Sequence, residues 1–452
     1  MNIILLAGGK GTRLFPLSRK SIPKQFLKLI NNKSLFQNTI ERCILLKHKQ
    51  LIVVCNKMHV QIVKSQIKEL CIKNYILIVE PEGRDTAPAI AVTAFRKEEA
   101  SLVVPCDHIF DNDKFCNLIK NIKSTDKLTL FGIKPRYPST EFGYIKQTKT
   151  NIISFHEKPD KEKAIEFVEK GYLWNSGIFY FNNLFMIDLL DKYEPELCKN
   201  AFASLQNAKS DGYLVNLSEK YYSRCKKISI DYAILEKEHE QITYYEYNGY
   251  WNDIGNFNSL YEYHQEKDTD LNYIENNNCI VNNTSKCYIN TEQQTICNDI
   301  HNLSVIQTDD VLYISSLEKS SQIKNLVTKI SNEEILEVPR TCHRPWGKYK
   351  NLLGYDYDSI KVKIITVYPG QKLSLQKHDL RSESWTICSG IGWLQVGNSF
   401  RKVVSGDVIF IKVNELHRIE NIDEKKNLVF TETQLGVCIE KDIKRLDDIY
   451  NR

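Results

Sequence analysis

Four short apolar runs, each of strand length, are spaced through the first hundred or so residues: Asn2–Ala7, Leu51–Cys55, Tyr75–Val79 and Ser101–Pro105. Between two of them Val60, Val63, Ile67 and Leu70 recur at steps of three and four, which lays them on one face of a helix. Strand–helix alternation of this kind confines the chain to right-handed βαβ units and a mostly parallel sheet. Ligands on such sheets sit at the carboxyl ends of the strands. The residues that follow each run therefore matter most. The first run is followed by Gly8-Gly9-Lys10-Gly11-Thr12-Arg13, and the fourth leads into Asp107.

The whole-chain totals exclude several classes. The 452 residues are 42% hydrophobic and 26% charged, ordinary globular values. Lys and Arg number 61 against 56 Asp and Glu, a net charge of +5, too small a surplus to point to nucleic acid. No run approaches the roughly 18 apolar residues of a membrane span. The run Ile3–Ala7 is short and passes straight into glycines, unlike a secretory signal. Thirteen scattered cysteines without a C-x-x-C suit reduced thiols, so a cytoplasmic location is expected. A homo-oligomer is neither required nor excluded.

A glycine-rich turn after a strand exposes backbone N–H groups to an anion. Here Arg13, Arg19, Lys20 and Lys24 follow it, a cationic set suited to a triphosphate. The spacing is not a Walker A loop, and Leu14 stands where a dinucleotide fingerprint needs its third glycine. Taken alone, the glycines also fit a structural turn beside a solvated basic face. Likewise Asp107 alone fits a helix cap, and Asp253 a turn residue.

The longer string, Leu6 to Arg19 followed by Pro23-Lys24-Gln25-Phe26, resembles the signature of sugar-1-phosphate nucleotidylyltransferases, most closely the mannose-1-phosphate guanylyltransferases. Further segments agree in order: Glu80 to Ala89, Pro105-Cys106-Asp107-His108, Glu157-Lys158-Pro159, Trp174-Asn175-Ser176-Gly177, Ser229 to Ala233 and Trp251 to Gly255. The resemblance spans residues 1–270. It implies an α/β nucleotidyltransferase domain, Rossmann-like with a mostly parallel mixed sheet. It also implies that Gly8, Gly9, Gly11, Thr12 and Arg13 hold GTP, with Glu82, Arg84, Asp85 and Thr86 at the guanine. Lys24 would offset charge at the reacting phosphates, Asp107 and Asp253 would hold Mg²⁺, and Gly143, Glu157, Lys158 and Asn175 would bind mannose 1-phosphate. Position 85 is more often Asn in such proteins.

Beyond Asp270 the texture changes to short β-prone segments, Cys279–Val281, Leu303–Ile306 and Val311–Ile314, with no visible internal repeat. Residues 271–338 read as a β-rich spacer, with a β-helix as one form it could take. From 339 to 452 the pattern is all-β, broken at Pro369-Gly370, Ser389-Gly390, Gly397-Asn398 and Ser405-Gly406, which suits a small sandwich or barrel. Gln376 and His378 lie two apart and so share one face of a strand. With Glu383 and His417 they form a donor set suited to Zn²⁺, Mn²⁺, Fe²⁺ or Co²⁺.

That spacing resembles the cupin metal motifs, with Gln376 in place of the usual first His. The flanking Arg344-Pro345-Trp346-Gly347, Leu373 to Gln376, Arg381-x-Glu383-x-Trp385 and the tail segments Glu440–Asp442 and Arg445–Arg452 are similar to the type II phosphomannose isomerase domain. Over nearly the whole chain the sequence resembles the bifunctional guanylyltransferase/isomerase family. The resemblance implies interconversion of mannose 6-phosphate and fructose 6-phosphate through an enediol, with Arg381 at the phosphate or enediolate, and GDP-mannose synthesis in the other half. A transferase with a structural or ligand-sensing cupin is the alternative, and a non-catalytic sugar-nucleotide sensor a more distant one. Four positions depart from the pattern: Ser384 for His, Lys412 for Pro, Asn414 for Gly and Asn451 for Gly. Ser384 removes a potential acid–base group, or one that supports a metal ligand, beside Glu383, so slower isomerisation is expected.

Overall fold

The computed structural model describes residues 1–9, 11–96, 100–122, 127–148, 152–276, 278–331, 333–353, 359–439 and 442–450. Lys10, Glu440 and the chain-end Asn451 and Arg452 lie outside them. The chain divides into two compact units. One comprises residues 1–306 with 314–324, the other 307–313 with 325–452.

In the first unit, β1 (Asn2–Leu6), β2 (Gln50–Asn56), β3 (Ile76–Glu80) and β4 (Ala100–Pro105) match the four apolar runs within a residue or so at each end. They pair in parallel in the order β3-β2-β1-β4. Antiparallel Leu173–Asn182 continues the sheet beyond β4, followed by Leu128–Ile133 and Ile242–Tyr247. The runs are apolar on both faces because both faces are covered. Side chains alternate between two cores. Ile4, Ile52, Ile78 and Val103 enter one, while Ile3, Leu5, Val53, Leu77 and Val104 enter the other. Fully burying each such side chain is worth about 1.5–3 kcal/mol. β2 and β3 lie on one side of β1 and β4 on the other, so the crossover direction reverses at the β1/β4 boundary. The crevice outside a reversal of this kind is where open α/β sheets bind ligands. The glycine loop and Asp107 both emerge there.

The predicted helix forms over Val60–Glu69. Asp107 is not a helix cap. Asp111 performs that task, its side chain accepting from the Lys114 N–H at 3.0 Å. Farther on, the β-prone segments of the spacer stack as parallel coils: Tyr273–Ile274 on Tyr288–Asn290, that strand on Leu303–Gln307, and Cys279–Asn282 on Thr295–Asn298. Polar side chains 16 residues apart bond between coils, Asn282 to Asn298 and Ser285 to His301, a period no sequence repeat announces. Among the described residues no helix is long and apolar enough to cross a membrane.

The second unit holds two antiparallel sheets. One orders Thr341–Arg344, Gly347–Leu353, Ile360–Val367, Leu428–Gly436, Arg381–Ser389 and Val408–Ile411. The other orders Ser399–Val404, Ile391–Val396, His417–Asn421, Leu375–His378 and Ile443–Asp447. Burial alternates strictly along two neighbouring strands. Arg381, Glu383, Trp385 and Ile387 face inward on one, and Leu428, Phe430, Glu432 and Gln434 on the other. Each thus carries an apolar half and a polar half into the same interior. Ser384 falls on the opposite face from Glu383, so a histidine at 384 would also point away from the interior, and the expected loss of an acid–base group there does not hold. Asn414 takes φ 65°, a conformation Asn tolerates better than most residues, and its N–H donates to the His378 carbonyl at 2.7 Å.

Candidate active sites

The first site forms around Lys24, which the short helix Lys24–Phe26 holds under the glycine loop. Gly11 has φ 54°, and a Cβ there would stand 2.4 Å from the Lys24 backbone nitrogen, so the close approach needs glycine. Gln25, buried alongside, ties the loop down by donating to the carbonyls of Ala7 and Gly9, both at 2.9 Å. The nearly buried Lys24 ammonium lies 2.9 Å from Asp107 Oδ2 and donates to the Asp253 carbonyl at 2.5 Å. Residues more than two hundred positions apart thereby meet at one cation. Burial would raise the Asp107 carboxyl, but Lys24 and His108 outweigh it and hold it below its ordinary value. Asp253 Oδ1 accepts from the Gly255 N–H at 3.2 Å. The Asp107 carboxylate and the Asp253 backbone carbonyl thus meet at Lys24, and hard oxygen donors of this kind could hold Mg²⁺. Arg13 pairs with Glu141 at the rim. Thr12 starts the short helix Thr12–Leu14.

The segment assigned to guanine has internal partners. Arg84 donates to the Cys225 carbonyl at 3.0 Å and pairs with Glu82. Asp85 caps the helix Thr86–Ala94 from φ 69°, ψ −170°, a backbone region that costs a non-glycine residue on the order of 1–3 kcal/mol. Thr86 Oγ1 accepts from the Ile230 N–H at 2.9 Å. Glu80, at the carboxyl end of β3, opens the matching segment Glu80 to Ala89 but carried no assigned role. It is buried, accepts from the Tyr222 hydroxyl, and its Oε2 lies 2.9 Å from where a Cβ on Gly8 would stand. Burial pushes its carboxyl up to about 7.

All four residues assigned to the sugar phosphate come together. The Asn175 N–H donates to the Gly143 carbonyl at 2.8 Å, a Cβ on Gly143 would meet Glu157 Oε2 at 2.7 Å, and Lys158 Nζ lies 2.9 Å from Glu157 Oε1. Asp231 joins them by accepting from the Asn175 amide at 3.2 Å. Burial and the neighbouring Glu157 charge raise Asp231 to about 7. The quoted segment Ser229–Ala233 contained Asp231, but only the fold brings it to Asn175.

The second site lies inside the β-sandwich. His378 Nε2 is 3.0 Å from Glu383 Oε1 and His417 Nε2 is 3.5 Å from Glu383 Oε2. One ligand atom from each of the three lies within 4.8 Å of the others, and all three residues are buried. Gln376 pairs with His417 across the sheet, its amide nitrogen 3.5 Å from His417 Nε2 and its oxygen accepting from Ser374. The Glu415 carbonyl, 2.9 Å from His417 Nδ1, takes that N–H and leaves the Nε2 lone pair facing the cluster. Burial lowers His417, which favours the neutral imidazole that ligates metal. Glu383 would be raised by burial, yet His378, His417 and Arg381 hold it well below the usual carboxylate range. Arg381 Nε (3.2 Å) and Trp385 Nε1 (3.1 Å) donate to its two oxygens and fix its orientation. Two imidazoles and one carboxylate suit a borderline divalent transition metal, and the Gln376 amide lies beside them with its oxygen turned to Ser374.

Residues 2–270 match the nucleotidyl transferase family and residues 331–448 the C-terminal domain of mannose-6-phosphate isomerase. The chain is 34% identical to mannose-1-phosphate guanylyltransferase of Salmonella montevideo, over 99% of each chain. It is 33% identical to the alginate biosynthesis protein AlgA of Pseudomonas putida, over 99% of this chain and 96% of that one. A Thermus thermophilus structure described as a mannose-1-phosphate geranyltransferase superposes with a TM-score of 0.63 at 25% identity, covering 73% of this chain and 98% of the other. The mannose-6-phosphate isomerase of Helicobacter pylori superposes with a TM-score of 0.50 at 30% identity, over 56% and 98%. With two matched segments, two sites and full-length relatives, the chain belongs to the bifunctional mannose-1-phosphate guanylyltransferase/mannose-6-phosphate isomerase family.

Proposed function

We infer that this protein makes GDP-mannose and pyrophosphate from GTP and mannose 1-phosphate, and interconverts fructose 6-phosphate and mannose 6-phosphate. The observation that carries the first activity is Lys24 joined at once to Asp107 and to Asp253 at the sheet's reversal point. Residues 1–270 are assigned to the transferase, 339–452 to the isomerase, and 271–338 to the coils and connection between them. The free cysteines fit a reducing, cytoplasmic setting.

In the transferase a mannose 1-phosphate oxygen attacks the α-phosphorus of GTP in line while pyrophosphate leaves. Such a step needs positioning and charge neutralisation rather than a covalent enzyme intermediate. The glycine-loop N–H groups and Arg13 hold the triphosphate, and Lys24 places a fixed, partly desolvated cation beside the reacting phosphates. Gly143, Glu157, Lys158 and Asn175 orient the sugar phosphate, with Asp231 behind Asn175. Asp107 and Asp253 would hold Mg²⁺, which neutralises charge on the phosphate oxygens when bound. In the isomerase Gln376, His378, Glu383 and His417 would hold Zn²⁺, Co²⁺ or Mn²⁺, a Lewis acid for the substrate oxygens.

Guanine presents an N2 amino donor, with the N1–H beside it, on one edge, and Glu80 is an acceptor facing the loop. Glu80→Gln is expected to raise KM for GTP about tenfold or more, since a hydrogen bond to a charged group is worth roughly 1.5–3 kcal/mol. The ionised form binds, so KM should also rise as pH falls below about 7, where the Glu80 carboxyl takes up a proton beside Tyr222 and Asp85. Initial rates with GTP at several pH values check both. A variant with unchanged KM would remove Glu80 from the base site.

A further inference from the structure

We propose that Glu432 carries the proton between C1 and C2 of the substrate in the isomerase site, an assignment that rests on the isomerase reading above. An aldose–ketose isomerase has to lift a proton from the carbon beside the carbonyl and return it to the neighbouring carbon. The base must therefore reach the pocket, be able to accept a proton, and have no other task. The pocket beside the metal cluster has a volume of about 480 Å³, open mouth included. Its walls include Gln376, Arg381, Lys363 and two carboxylates, Glu383 and Glu432.

Glu383 is fully engaged. His378, Arg381 and Gln434 surround Oε1, while Trp385 and His417 surround Oε2. Glu432 is held differently. It is buried, it accepts from the Gln434 amide at 2.6 Å, and Lys363 Nζ stands 3.6 Å away. The same Gln434 nitrogen also donates to Glu383 Oε1 at 3.2 Å, which fixes Glu432 relative to the ligand cluster. Both residues face inward from the strand Leu428–Gly436, one layer beyond the apolar Phe430. Burial first, and then the Glu383 charge, push the Glu432 carboxyl up to about 7, against the pull of Lys363, Arg381 and His378. A buried carboxyl on the pocket wall that takes both of these contacts on Oε1 can accept and return a proton.

Starting from open-chain mannose 6-phosphate, Glu432 takes the proton from C2. The C2–H electron pair becomes the C1=C2 bond, and the C1=O π pair moves onto O1, which takes a proton from water to complete the enediol. Glu432 then returns its proton to C1 on the C1=C2 pair, O2 gives its proton back to water, and the freed O2–H pair forms the C2=O bond of fructose 6-phosphate. Nothing is oxidised or reduced overall, and no co-reactant is consumed. Lys363 and Arg381 face the pocket as the cations that offset charge on the oxygens.

The test uses the full chain loaded with Zn²⁺, Co²⁺ or Mn²⁺, after confirming that the unaltered protein isomerises; if it does not, the isomerase reading fails rather than this assignment. Glu432→Gln is expected to slow isomerisation about 10²–10⁴-fold and to slow solvent-deuterium exchange into the substrate equally. Metal content per chain and guanylyl transfer should stay unchanged. A metal-loaded Glu432→Gln within tenfold of the unaltered rate would overturn the assignment. If that variant loses its metal, Glu432→Asp decides, because it keeps the charge but withdraws it by one methylene. A metal-loaded Asp variant slowed about 100-fold or more supports the role, and one within tenfold overturns it.

Discussion

Asp253→Ala is expected to reduce pyrophosphate release from GTP and mannose 1-phosphate by about 10²–10³-fold or more, the usual cost of removing a group aimed at transition-state charge. The loss should appear in kcat rather than in KM for the sugar phosphate, because Asp253 stands beside Lys24 and Asp107 and not among Gly143, Glu157, Lys158 and Asn175. Its carboxylate also accepts from the Gly255 N–H, so a modest loss of stability accompanies the substitution. Isomerisation by the same variant should stay within twofold of the unaltered protein, since the two sites belong to separate compact units. A variant that still releases pyrophosphate at near-normal rates would remove Asp253 from the reacting centre.

His378→Ala gives the mirror-image expectation. It removes one of three donors lying within 4.8 Å of one another and leaves Glu383 Oε1 without its 3.0 Å imidazole partner. Losing the metal's several kcal/mol of charge stabilisation corresponds to an isomerisation rate lower by about 10³-fold or more. Metal content should fall in parallel, and guanylyl transfer should persist. A chelator applied to the unaltered protein should reproduce the loss, and added Zn²⁺, Co²⁺ or Mn²⁺ should reverse it. Normal isomerisation by His378→Ala would place the chemistry elsewhere and favour a cupin that serves as a structural or sensing module.

Local signals in the sequence were enough to outline the sheet and half of each site. β-branched runs specify β1 to β4 because strands buried on both faces must be apolar throughout. The glycine loop and Asp107 are legible because each directly follows such a run. Gln376 and His378 are legible because two residues along a strand share a face. What the sequence hid depends on pairing between distant segments. Glu80 becomes a loop-facing acceptor only where Tyr222 and Gly8 meet it. Asp231 reaches the sugar-phosphate cluster only through Asn175. Glu432 lies opposite Trp385 across the sheet, far from any motif, and its place beside Glu383 follows from that strand register. Single residues read in isolation meet the same limit. The cap that Asp107 taken alone also fits belongs to Asp111, and Ser384, which reads as a missing acid–base group, is turned outward by strand alternation.

One chain is expected to carry two separable chemistries. Both activities should therefore be measured on the unaltered protein, on Asp253→Ala and on His378→Ala in parallel: pyrophosphate release from GTP plus mannose 1-phosphate, and conversion of fructose 6-phosphate with each of several divalent metals. The expected result is both activities in the unaltered protein and the loss of one, a different one, in each variant. An unaltered protein that never converts fructose 6-phosphate with any metal, or a single substitution that abolishes both activities in a folded chain, would overturn that assignment.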